Sequence, residues 1–159
     1  MMLAPFFEWC AATRLGTAIQ MSPWAFAVIE SVHLLGLAVI GGAVLLVDLR
    51  MLGFGLRDQR IAEIARAAFP WLVGSLIVML LTGIGLFLSE PMKLYYSRPF
   101  WVKMISLGLA MLFTFTIRRK VTMADETRTR PIWFKLVALV SLTLWFGVGG
   151  GGRWIGFGG

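Results

Sequence analysis

The sequence predicts an all-α integral membrane protein, a four-helix bundle with an N-terminal interfacial helix. Three observations carry that prediction. Apolar residues make up 58% of the chain and charged residues 14%, with a mean hydropathy of +0.82, the balance of a polytopic membrane protein rather than a water-soluble domain. The apolar residues fall into four runs near the length that crosses a hydrocarbon core at 1.5 Å per helical residue. The bases concentrate in the short connections between these runs, so the net charge of +7 reads as membrane topology and not as a nucleic-acid footprint. A single membrane domain over residues 1–159 is expected.

Residues 5–20 suit a helix lying at the membrane surface. Phe6, Phe7, Trp9, Leu15 and Ile19 alternate with Glu8, Arg14 and Gln20, and aromatic rings favour the headgroup region. Gly16 argues against this helix. The segment lacks the basic start and continuous apolar stretch of a secretory signal, so no cleavage is expected. Cys10 is the single cysteine, which excludes an intramolecular disulfide and a Cys-rich metal site.

The first span is expected over 23–47. Ser22 offers an oxygen to an orphan backbone N–H, and Pro23 suits the first helical position, where its missing donor costs nothing. The connection that follows carries Arg50, Arg57, Arg60 and Arg66 among Asp48, Asp58 and Glu63. The second span, 67–88, has Pro70 in its first turn and Gly74, Gly83 and Gly85 along it, where another backbone or a flat ligand can approach closely. In the connection 89–99 and just beyond, Tyr95, Tyr96, Phe100 and Trp101 read as an interfacial aromatic belt rather than radical relays or quinone contacts. The third span, 100–117, holds Lys103 one turn inside its start, placed to snorkel or to meet an acidic ligand group. A basic connection leads to the fourth span, 132–148. The tail 149–159 is too glycine-rich to be a stable helix by itself, and Trp154 and Phe157 are expected to anchor it at the interface.

Orientation follows from the bases. The first and third connections hold Arg50, Arg57, Arg60, Arg66, Arg118, Arg119, Lys120, Arg128 and Arg130; the opposite side holds Arg14, Lys93, Arg98, Lys103 and Arg153. This asymmetry predicts an inner-membrane protein of a bacterium with both termini on the periplasmic side.

The chain contains no phosphate-binding GxxxxGK[ST], no HExxH and no Cys/His cluster, so the chemistry of soluble enzymes is not expected. The methionines show no clustered copper-like spacing and read as core filling. What remains is Glu30-x-x-His33 in the first span. At 100° per residue Glu30, Leu37, Gly41 and Asp48 lie along one line with His33 about 60° to its side. An ionisable group in hydrocarbon is costly, about 2.5 to 3.5 kcal/mol on insertion scales, so Glu30 and His33 are expected to point inward. His33, the only histidine, lies roughly 15 Å along the axis from Pro23, near the membrane midplane. It can ligate a metal, relay protons or bond to a neighbour such as Glu30. Asp48 and Arg50 are expected to form an ion pair at the end of the helix.

Trp24, Glu30, His33, Gly36, Gly41, Asp48, Leu49, Arg50 and Gly53, in the pattern W-x5-E-x2-H-x2-G-x4-G-x6-D-L-R-x2-G, resemble a family of uncharacterised small bacterial four-helix membrane proteins. That resemblance spans most of the chain, including Arg153 and Trp154, and brings no activity. More distantly the chain looks like copper-resistance D type membrane proteins and four-helix haem-dependent protoporphyrinogen oxidases, which also carry a histidine in an early membrane helix. This implies a haem b site at His33. Gly36 and Gly41 would flank the porphyrin, and Arg98 and Lys103, with Arg14 or Arg153, would meet its propionates. The sixth iron position would be open, filled by Met79, Met104 or Met111, or supplied by a second His33 across a homodimer interface. Copper beside haem is left open.

The functional expectation is a haem b-binding redox protein of the inner membrane, an electron-transfer protein or oxidoreductase. His33 is its axial ligand, Glu30 tunes the site or moves protons, and a homo-oligomer and a quinone or other redox partner are implied. The alternative is a non-catalytic membrane partner or assembly subunit in which Glu30 and His33 satisfy each other. Proton-coupled transport through Glu30 is weaker, because the other spans supply no pathway.

Overall fold

The computed structural model describes residues 4–155; Phe157 lies outside them. Helix α1 spans Ala4–Ala11 and α2 Arg14–Met21, so the single interfacial helix expected over 5–20 is two. Thr13 makes the break: its hydroxyl donates to the Cys10 carbonyl (2.8 Å) and accepts the Gly16 N–H (3.3 Å), closing one helix and capping the next. Gly16 is where α2 rests on the second span. A Cβ there would clash with the Leu88 carbonyl oxygen, so the residue that weakens α2 in isolation is the one that lets it dock.

Among the described residues four helices are long and apolar enough to cross a membrane, and the protein is a multi-pass membrane helical bundle. Helix α3, Ala25–Leu52, opens with the Ala25 N–H donating to Ser22 Oγ (3.2 Å). It ends where Gly53 takes a left-handed φ of 91° and the Phe54 N–H returns to the Leu49 carbonyl (2.9 Å). Helix α4, Ile61–Ser89, begins well before the apolar run, so Pro70 lies inside the helix and not in its first turn. A short helix α5, Pro91–Tyr96, leads into α6, Arg98–Phe113. The third span continues through a π turn, Thr114–Arg118, and α7, Arg119–Thr122. Helix α8 is Pro131–Ile155.

Helix α8 continues through the glycine-rich segment to Ile155, past the end at 148 expected for the fourth span. Gly147 and Gly151, four residues apart, share the face that crosses α6. Cβ atoms there would lie 2.8 Å from Ser106 Oγ and 3.1 Å from Lys103 Cβ respectively. The small residues are a packing surface of the small-xxx-small kind, and contact with α6 replaces the helix propensity they lack.

Helix α3 packs most extensively on α4, and α6 on α8; contact between α3 and α8 joins the two pairs. The core runs along α3 through Ile40, Val44, Val47 and Met51, against Leu72 and Leu76 of α4 and Val137 and Ala138 of α8. Outward faces carry Leu35, Leu81, Ile105, Leu112, Leu139 and Phe146, all exposed, the apolar surface that a bilayer and not water would cover. One end of the bundle is closed by an aromatic cluster in which Phe7 meets Phe87, Tyr95, Phe100 and Trp101. The opposite end is arginine-rich. There the Glu126 carboxylate accepts the Ile61 N–H at the start of α4 and pairs with Arg50 at 3.4 Å.

Candidate functional site

His33 sits on the buried stripe of α3 with its ring against α4. A Cβ added at Gly83 would lie 3.4 Å from His33 Cε1 and 4.0 Å from Nδ1, so the absence of a side chain at Gly83 makes room for the ring. Nδ1 is 2.8 Å from Thr82 Oγ1, and the Thr82 hydroxyl in turn donates to the Val78 carbonyl at 2.7 Å. A threonine has one hydroxyl proton. With that proton committed to Val78, Thr82 Oγ1 accepts the Nδ1–H, and the neutral imidazole then carries its lone pair on Nε2. The Met79 backbone also hydrogen-bonds to the His33 ring. Thr82 was missed in the sequence reading, yet its signal was there: Ser75 and Thr82 are seven residues apart in an otherwise apolar run, hence on one face of α4.

Lys103 lies half-buried along α8, its Nζ 3.8 Å from where a Gly152 Cβ would be, on the side of the bundle toward the aromatic cluster. Arg98, at the start of α6, is exposed, as is Arg14.

Glu30 is exposed, which corrects the expectation that it points inward with His33. The buried stripe of α3 is centred on His33, Ile40, Val47 and Met51; Glu30, Leu37, Gly41 and Asp48 run along its edge, about 80° away. At Asp48 that edge is covered by α8 and the π turn, and at Glu30 no helix covers it. The partner of His33 is accordingly Thr82 and not Glu30. Gly36 is buried, but its space is taken by Met79, whose Cγ would be 3.0 Å from an added Cβ, while Gly41 is open with nothing within 4 Å. Neither glycine lines a space beside His33.

A second polar cluster lies nearer the arginine-rich end. Asp48, fully inaccessible, accepts from Arg118 Nε at 2.9 Å, and Arg118 Nη2 donates to the Val44 carbonyl at 3.2 Å. Asp48 therefore pairs with Arg118 across the bundle, and Arg50 with Glu126, in place of the expected Asp48–Arg50 pair. The Ser141 hydroxyl faces the carboxylate, and Asp48 Oδ2 and Ser141 Oγ have no hydrogen-bond partner among the described residues. The π turn that carries Arg118 is held by Trp145 Nε1 donating to Thr114 Oγ1 at 3.2 Å. Inserting one residue into a helical turn re-aims the side chains that follow, here the arginine toward Asp48.

Among the described residues no three His, Cys, Asp or Glu side chains converge as a metal-ligand set. The chain belongs to a family of unknown function (DUF6644), which matches residues 6–158. No curated protein and no solved structure matches it.

Proposed function

We propose that this member of a family without an assigned activity is a haem b-binding membrane redox protein with His33 Nε2 as an axial ligand. The observation that carries the reading is the 2.8 Å approach of His33 Nδ1 to Thr82 Oγ1, whose hydroxyl reaches the Val78 carbonyl at 2.7 Å, an arrangement suited to a proton on Nδ1 and a lone pair on Nε2. Metal-ligating histidines characteristically donate their other ring N–H to a fixed acceptor, which sets the tautomer and orients the ring. The residues present fit a macrocycle better than a bare ion. Copper or zinc bound by protein alone needs several converging ligands, whereas a porphyrin brings four nitrogens and asks the protein for one or two.

When bound, haem b supplies one-electron redox chemistry and an iron able to bind small ligands. The chain's own residues do the rest. Thr82 holds the imidazole in the ligating tautomer, and Gly83 admits the ring between α3 and α4. Lys103, half-buried on α6, supplies a positive charge suited to a carboxylate such as a propionate. The distant resemblance to four-helix haem-dependent oxidases rests mainly on His33 and brings with it no substrate or electron donor.

A second reading, a membrane partner subunit, is favoured by Glu30, an exposed carboxylate inside a membrane-length helix with no ion pair among the described residues. A neighbouring chain is one way to cover it. The test is substitution: His33→Ala protein, expressed with ample haem precursor, should lose the Soret band that the wild type carries while keeping its helical content. A wild-type band that survives the substitution rejects His33 as ligand.

A further inference from the structure

A cavity of about 240 Å³ opens between α3, α4 and the π turn at the arginine-rich end. Its walls are apolar, with Val47, Phe69 and Leu72 among them, and its polar lining includes Arg66, Arg118 and Arg119 and no carboxylate. The three arginines differ in what already occupies them. Arg118 is 6% exposed and spends Nε on Asp48 and Nη2 on Val44, while its Nη1 bonds to no described residue. Arg119 is held with its guanidinium carbon 4.8 Å from the centroid of the Phe69 ring, a cation–π contact that fixes it at the rim. Arg66 and Arg119 form no ion pair among the described residues. Asp48 neutralises one of the three guanidiniums and leaves two uncompensated.

We propose that this cavity binds the phosphate of an anionic phospholipid. Arg66 lies in the second turn of α4 and Arg119 just past the π turn, level with the ends of the spans where phospholipid headgroups sit. Paired guanidiniums match a phosphodiester in charge and in fork geometry. The apolar wall continuing from Phe69 to Phe115, whose rings meet edge to face at 6.4 Å, suits the first carbons of an acyl chain. Basic pockets between membrane helices at the basic face are the usual setting for such lipids, and the apolar lining favours a lipid over a soluble anion. The site is separate from His33 and does not depend on haem.

Full-length protein purified in mild detergent from membranes containing phosphatidylglycerol and phosphatidylethanolamine should retain one phosphatidylglycerol in native mass spectrometry. Arg66→Gln/Arg119→Gln should lower that affinity at least about tenfold, equivalent to about 1.4 kcal/mol. Both side chains are exposed, so the bundle should keep its helical content. Arg60→Gln/Arg130→Gln, which alters the same charge outside the cavity, should retain the lipid. In thermal-shift titrations of delipidated protein, phosphatidylglycerol should raise the midpoint and inorganic phosphate should not. Equal lipid retention by the Arg66/Arg119 variant, or an equal shift with inorganic phosphate, overturns the proposal.

Discussion

Replacing Asp48 with leucine should be the most destabilising single change in the bundle, and the structure sets its size. The carboxylate is fully inaccessible and its partner Arg118 is 6% exposed, with 2.9 Å between Arg118 Nε and Oδ1. Without Asp48, the guanidinium keeps one bond, to the Val44 carbonyl at 3.2 Å, and its charge is left uncompensated in the protein interior. Breaking a buried pair from one side costs about 3–5 kcal/mol. Removing both charges together costs far less, because the pair's attraction is offset by the desolvation of its two members. Asp48→Leu/Arg118→Met should therefore recover most of the loss, with a coupling of at least about 2 kcal/mol between the two sites. The assay is reversible unfolding from mild detergent into dodecyl sulfate, followed by tryptophan fluorescence and far-UV circular dichroism. A loss below about 1 kcal/mol for Asp48→Leu, or a double variant no more stable than the sum of the single losses, would show that the two charges are not energetically paired.

Three further outcomes follow from the packing and the site. Gly151→Val places a branched side chain where a Cβ alone would lie 3.2 Å from the Lys103 backbone nitrogen; the overpacking should cost about 1–3 kcal/mol in the same unfolding assay, and a neutral result would mean α6 and α8 do not cross there. Gly16→Ala drives a methyl group into the Leu88 carbonyl oxygen, so α2 should lift from α4 and its amides should exchange faster with deuterium while α3 and α4 keep their protection. Unchanged exchange in α2 would contradict its docking. Thr82→Val keeps the shape but removes the acceptor of His33 Nδ1–H, and cofactor retention should fall about 10–100-fold without a comparable loss of helical content; full retention would free Thr82 of any role in orienting the ring.

The four spans were legible because length and apolarity are summed over many residues and tolerate local exceptions. Their ends were not. The apolar run of the first span stops at Val47, yet α3 continues to Leu52, because Asp48 finds Arg118 inside the bundle and Gly53 supplies the cap. A charge reads as the end of a span unless its partner is known, and that partner lies 70 residues away. Likewise a helical wheel gives the angle between Glu30 and His33 but not which side of the helix the neighbours cover, and the 80° between Glu30 and the centre of the stripe proved decisive. Glycine spacing where the fourth span meets the tail, Gly147 to Gly151, was the readable sign of a packing face that overall glycine content concealed. The π turn left no sequence signal. His33 was legible as a buried group, since one histidine in an apolar run has to be satisfied somehow; its acceptor Thr82 depended on the α3–α4 register.

The claim at the centre of this account is that His33 Nε2 is an iron ligand, and the absorption spectrum of the purified protein tests it most directly. Protein isolated in mild detergent from haem-replete cells, recorded oxidised and after dithionite reduction with iron measured on the same sample, should show a Soret band that shifts on reduction, with iron in fixed proportion to protein. A colourless, iron-free protein from the same haem-replete cells would contradict the haem assignment and leave His33 as a polar contact between α3 and α4.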